Sequence, residues 1–162
     1  MEAIQLWFTS NPVGEWIYTA LFSMLPIVEL RGGIPFGVSL GLEVWPAFLA
    51  AVVGNMIPVP FIIVFIRRIF KWMRAHNRRL GELADWLERK AHLKGQKVTR
   101  YKYLGLLIFV AIPLPGTGAW TGALIAAFLD MRLRQAVPSI FGGVLVAGLL
   151  ISILTFGVTA LF

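Results

Sequence analysis

The chain has 162 residues, of which 58% are hydrophobic and 14% charged, with a mean hydropathy of +0.78 and a formal net charge of +7. Soluble domains carry about 45–50% apolar residues, so the composition excludes an ordinary water-soluble globule and indicates an all-α integral membrane protein. No cysteine is present, which excludes a disulfide framework and thiol chemistry.

The N-terminal residues MEAIQLWF lack a basic stretch ahead of the apolar run and do not read as a cleaved signal peptide. The first apolar segment, about 16–42, is broken near its centre by Pro26 and by RGGIP. At this length it is too short for two full spans of about 20 residues each. It reads as a re-entrant hairpin, with Asn11-Pro12 as N-cap and first-turn proline of its first arm. Residues of about 44–66 follow as a full span, completing a first repeat over 1–66.

Residues 67–102 hold twelve of the fifteen basic residues, against Glu82, Asp85 and Glu88. No RNA- or DNA-binding motif accompanies them, so no nucleic-acid partner is expected. Cytoplasmic loops of membrane proteins carry such an excess of Lys and Arg. Ile69, Trp72, Met73, Leu80, Leu83, Leu87 and Ala91 recur at helical spacing with a basic face opposite, which predicts an amphipathic helix on an anionic inner leaflet. Asp85 and Arg89 form an i,i+4 pair within it. His76 and His92 lie in the same loop without a third ligand, so no metal site is expected.

The second repeat, 103–162, has the same order. An apolar segment of about 103–130 is broken at AIPLPGTG, and a span of about 136–162 follows. Arg132 and Arg134 belong on the same side as the basic loop by the charge rule, so the segment between must enter and return on that side. Glu2, Glu15 and Glu43 mark the opposite, external face. The alternative is four full, kinked helices, which would put Arg132 and the basic loop on opposite faces. An inverted repeat of broken helices meeting near the midplane is a recurring transporter plan.

The chain shows no catalytic constellation, and neither an enzyme activity nor a cofactor is expected. The candidate site is the two hairpin tips. Glu29 and Arg31 are ionisable groups in a membrane segment, and such groups are functional candidates by default. They are two residues apart, so they do not face each other on a regular helix. A turn at Gly32-Gly33 would bring them together, and a half-helix starting near Ile34-Pro35 would aim its positive end at the same point. Arg31 with that helix end would make a small anion site; the competing reading is a buried pair that only fixes the turn. Asn55 lies mid-span beside Pro58 and Pro60, either bonding freed carbonyls or facing the cavity. The second tip offers Pro113, Pro115, Gly116, Thr117, Gly118, Trp120 and Thr121. Gly33, Gly37 and Gly41, and Gly118 with Gly122, are small-xxx-small steps suited to close helix packing, with ligand approach as the other reading.

ELRGGIP (29–35) and PLPGTGAWTG (113–122), separated by a basic loop, resemble the small multidrug export protein family over nearly the whole chain. The layout is also similar to the larger DedA-type superfamily. That resemblance implies paired re-entrant hairpins in inverted repeat, with some members flipping polyprenyl phosphate lipid carriers coupled to ion gradients. Glu29 matches the acidic residue that the superfamily carries near a turn of the first hairpin. Arginines surround the second hairpin's proline in that superfamily, whereas AIPLPGTGAW has none and Arg31 lies in the first.

The leading expectation is a small secondary transporter or lipid flippase of the plasma (inner) membrane, with Glu29 as proton site and Arg31 as anion anchor. The first alternative is export of small hydrophobic or cationic compounds, with Glu29 as counter-charge and Trp120 as a stacking surface. The second is a non-transporting scaffold whose basic loop binds anionic lipid or a partner. Two spans and two half-depth hairpins enclose little volume, so a homodimer, joined through the glycine faces, is expected.

Overall fold

The computed structural model describes residues 11–76, 78–79, 81–82, 84–86, 89, 101–114 and 116–157. Its regular structure is helical: α1 (Pro12–Ser23), α2 (Glu29–Ser39), α3 (Val44–Met56), α4 (Pro58–His76), α5 (Lys102–Ala111), α6 (Ala119–Phe128) and α7 (Leu133–Phe156). Two runs are long and apolar enough to cross a membrane, Val44–His76 (33 residues, interrupted at Ile57) and Leu133–Phe156 (24 residues).

The other four helices are short. α1 has 12 residues, α2 has 11, and α5 and α6 have 10 each. At 1.5 Å per residue each is about 15–18 Å long, roughly half of a 30 Å hydrocarbon core. α1 starts as the sequence predicts: Asn11 Oδ1 accepts from the Gly14 N–H at 2.7 Å, and Pro12 occupies the first helical turn.

α1 and α2 form an antiparallel pair. A β-carbon built on Gly33 would overlap Ser23 Oγ, one on Gly37 would lie 2.8 Å from Thr19 Oγ1, and one on Gly41 would lie 3.6 Å from Glu15 Oε1. These contacts advance by four residues on one helix as they retreat by four on the other, so the pair returns to the end it left. α3 packs behind it, with Ala47 Cβ 2.9 Å from the Gly37 position and Ala51 Cβ 3.3 Å from the Gly33 position. Close backbone approach through small residues is how helices gain packing contact where the hydrophobic effect between them is weak. The Thr19 and Ser23 hydroxyls are satisfied by the carbonyls four residues back, at 2.7 and 2.8 Å.

The second half consists of α5, α6 and α7. α5 packs on α6 through Val110 against Gly122, and on α7 through Val110 against Gly143. α7 reaches the first half at Gly148, which abuts Phe48 and Leu30. α2 and α6 end in the same cap. Leu42 N–H bonds Gly37 O and Gly41 N–H bonds Val38 O; Met131 N–H bonds Ala126 O and Asp130 N–H bonds Ala127 O. Both are Schellman motifs with a left-handed residue at the turn, Gly41 (φ 116) and Asp130 (φ 46). Asp130 bears the cost of lacking glycine's freedom, and Arg67 pins it. Arg67 Nε lies 3.4 Å from Asp130 Oδ1, and Arg67 Nη2 donates to Met131 O. Phe70 and Phe128 stack beside this clamp at 5.3 Å.

Several expectations are corrected. Of the two breaks read in the first segment, the turn at Met24–Val28 takes in Pro26, whereas RGGIP is not a break: α2 runs unbroken from Glu29 through Gly32, Gly33 and Pro35. No half-helix starts at Ile34-Pro35. The span predicted at 44–66 continues as α4 to His76. The basic segment is not one straight amphipathic helix. Gly81 would place a β-carbon 3.4 Å from Arg74 Cα, and Arg74 Nε meets Asp85 Oδ1 at 2.8 Å. Seven residues of continuous helix would separate those backbones by about 10 Å, so the chain doubles back. Asp85 therefore pairs with Arg74, and the i,i+4 pair observed is Arg78–Glu82 at 3.3 Å. Leu80, Leu83, Leu87, Ala91 and His92 lie outside the described residues; His76 stacks on Trp72 at 4.7 Å. The glycine faces expected to join two copies are filled within one chain.

The Arg67 clamp puts the start of the basic segment and the DMRLR turn at one end of the molecule, with Glu43 some 23 residues of helix away, about 35 Å. The absence of cysteine makes this measurable. Single cysteines at Arg68 and Arg132 should react with an impermeant maleimide from one membrane face, and one at Glu43 from the other. Labelling of Arg68→Cys and Arg132→Cys from opposite faces would restore the four-span alternative.

Candidate functional site at the junction of the two turns

The turn after α1 and the turn before α6 meet. Three polar bonds hold the junction. Trp120 N–H donates to Glu29 Oε1 at 3.2 Å, Arg31 Nη2 donates to Thr117 Oγ1 at 3.0 Å, and Trp120 Nε1 donates to Met24 O at 3.0 Å. Trp120 is the second residue of α6, whose first-turn N–H groups have no partner inside the helix. The Glu29 carboxylate satisfies one of them and lies at the positive end of the helix dipole. Its other oxygen packs against Gly118, where a β-carbon would collide with Oε2.

Glu29 is held in an uncommon backbone state. Its φ is 48, although it is not glycine, and it is 8% exposed. Such a residue costs on the order of 1–3 kcal/mol and persists where surrounding contacts impose it. Its own N–H bonds Leu25 O at 2.9 Å.

The second turn is built around one hydroxyl. Thr117 Oγ1 shares its proton between Ile112 O (2.6 Å) and Leu114 O (2.8 Å), and accepts from Leu114 N–H at 3.2 Å. Arg31 takes the last lone-pair direction. Gly116, at φ 83, makes the turn possible.

Glu29, Arg31, Asn55, Thr117 and Gly118 line a single small cleft, walled otherwise by Leu30, Val110, Ala119, Val144 and Ala147. Its free space is about 10 Å³, room for about one water molecule. Asn55 is 2% exposed, and its Oδ1 has no hydrogen-bond partner among the described residues.

Glu29 and Arg31 do not pair with each other: among the described residues no contact within 4.0 Å joins them, and each reaches across to the other tip. Gly32, Gly33 and Pro35 fall on α2 away from the cleft; Gly33 is a packing contact and Gly32 abuts Val28. Pro113, Gly116 and Thr121 belong to the second turn and α6 without lining the cleft, and Pro115 lies outside the described residues. The sequence reading passes over Met24 as acceptor and the apolar wall of Val110, Val144 and Ala147. Met24 contributes only a backbone carbonyl, which leaves no residue-type signal.

A helical membrane protein with two apolar spans and a charged, buried junction between short helices is the class this geometry defines. The chain belongs to the family described as "Putative small multi-drug export protein", whose model matches residues 29–150. That match begins at Glu29, directly after the first turn, and takes in the second turn. Comparison with curated proteins and with solved structures gives no match.

Gly118→Ala should displace the Glu29 carboxylate and lower unfolding stability in mild detergent by about 1–3 kcal/mol. Adding Glu29→Ala should make the two losses non-additive by about 1 kcal/mol. Strict additivity would mean that the carboxylate does not occupy the α6 terminus.

Proposed function

We propose that the chain is a secondary transporter that passes an anionic substrate through this junction, a polyprenyl phosphate lipid carrier being the sharpest case. The observation that carries the reading is the Glu29 carboxylate on the α6 N-terminus. A helix N-terminus beside an arginine is an anion site, and here a tethered anion fills it. An incoming anion would have to displace Glu29. Protonation of Glu29 weakens its hold on a positive helix end, so one proton entering frees the place for one negative charge. Proton and anion movements are thereby coupled with little change of net charge in a low-dielectric site.

In this reading each short antiparallel pair is a re-entrant hairpin, and the two halves form an inverted repeat. The starts of α1, α2 and α3 at Pro12, Glu29 and Val44 are matched at a near-constant interval by α5, α6 and α7 at Lys102, Ala119 and Leu133. The paired Schellman caps at Gly41 and Asp130 support the same register. The basic end at Arg67 faces the cytoplasm of the plasma (inner) membrane, and the hairpins expose the junction to alternate sides. A homodimer would use the exposed apolar face of α4 at Phe61, Val64 and Phe65 rather than the glycine faces.

The family description favours a second reading, export of small hydrophobic or cationic compounds with Glu29 as counter-charge. In that reading the indole N–H of Trp120, tied to Met24 O, fixes the ring that would stack.

Proteoliposome assays separate the two. Labelled polyprenyl phosphate should cross with the wild type, while a neutral control lipid should not. Arg31→Ala should slow that movement at least about tenfold, the order lost with a charged hydrogen bond, and Arg31→Lys should recover part of it. Efflux of hydrophobic cations that requires Glu29 but not Arg31 would replace the anion reading with the second.

A further inference from the structure

Asn55 sits in the same packed body as Glu29 and Arg31, while both charges bond across to the other half. α2 and α3 run antiparallel, with Ala47 Cβ 2.9 Å from the Gly37 position and Ala51 Cβ 3.3 Å from the Gly33 position. The next four-residue step brings Asn55 opposite Glu29. All three side chains line one cleft with room for about one water molecule. Asn55 is 2% exposed, and its Oδ1 has no hydrogen-bond partner among the described residues. Buried polar atoms of this kind are almost always paired.

We infer that Asn55 is the second partner of the charged pair: when the two turns part, its Oδ1 accepts from the Arg31 guanidinium and its Nδ2 donates to the Glu29 carboxylate. Any movement that exposes the junction takes Thr117 from Arg31 and the Trp120 N–H from Glu29. Each charge would then stand unpaired at membrane depth, which is costly. Asn55 remains beside them, because small residues seat α3 directly on α2. A primary amide carries an acceptor and a donor side by side, which suits a guanidinium and a carboxylate together. The other side chains of the lining cannot replace it. Thr117 leaves with the second turn, and Val110, Val144 and Ala147 are apolar. The junction thereby has two bonded arrangements. Asn55 is a positioning residue of the second, and its open Oδ1 marks the first. This rests on the reading that the hairpins part to expose the junction; it holds for an anionic or a cationic substrate.

The test is amide hydrogen exchange of the full chain in nanodiscs. Trp120 reports parting of the turns, and Val144, in the middle of α7, reports unfolding of the whole. In the wild type Trp120 should exchange faster than Val144. Asn55→Leu removes the second arrangement and should slow Trp120 exchange about tenfold, the order of one charged hydrogen bond, without a matching change at Val144. In an Arg31→Met background the same substitution should slow it about threefold or less, because one of the two partners is already gone. Tenfold slowing that persists without Arg31 overturns the inference, since the amide would then gain only water on opening. No slowing by Asn55→Leu also overturns it and leaves the parting of the turns standing. Trp120 and Val144 exchanging together in the wild type overturns both. Should Asn55→Leu fail to fold, NMR relaxation dispersion of the wild type decides. Asn55 Nδ2, Arg31 Nε and the Trp120 amide should then share one exchange process. Exchange at Trp120 with none at Asn55, or none at all three, overturns the inference.

Discussion

A carboxylate on the open end of a buried helix is the interaction on which the junction depends. Glu29 is taken out of water, held at an unfavourable φ, and aimed at the N-terminus of a helix that begins 90 residues later at Ala119. In a membrane neither partner has water to fall back on. The unpaired N–H of Trp120 and the unsolvated charge of Glu29 would each be costly alone. Together they satisfy one another and pin the first turn to the second. Arg31 to Thr117 and Trp120 to Met24 repeat the same logic with weaker groups. Small residues then bring the backbones close enough for these bonds: Gly118 leaves space for the carboxylate, and Gly33 and Gly37 seat α2 between α1 and α3.

Much of the fold is legible in the sequence because the bilayer restricts what apolar segments can do. Segment lengths, the charge of Arg132 and Arg134, and the Asn11-Pro12 start together predict two spans and two short broken segments. The site residues Glu29, Arg31, Asn55, Thr117, Gly118 and Trp120 are legible for the same reason, as polar or small groups out of place in apolar surroundings.

What the sequence hides is pairing at a distance. Glu29 and Arg31 look like partners because they are neighbours in sequence, yet their actual partners lie 91 and 86 residues away. RGGIP looks like a helix break because glycine and proline usually punctuate helices. In this chain the glycines are packing faces, and a helix in close contact with neighbours tolerates the hydrogen bond that Pro35 removes. The true turn, at Met24–Val28, is marked in the sequence by Pro26 alone, without a glycine, and RGGIP is the stronger but misleading signal. The Schellman cap at Asp130 is hidden because its left-handed residue is not glycine and is fixed by Arg67 from another helix. The doubling back of the basic segment is likewise set by Arg74 reaching Asp85, eleven residues on.

The measurement that bears most directly on this account is hydrogen exchange at the Trp120 amide, followed by NMR of the isotopically labelled chain in nanodiscs. As the second residue of α6, Trp120 has no carbonyl partner within its helix, so its protection comes from Glu29. The account predicts exchange at least about tenfold slower in the wild type than in Glu29→Ala, as expected for a bonded rather than an open amide. Equal exchange in the two proteins would contradict it, since the carboxylate would then not occupy the helix end.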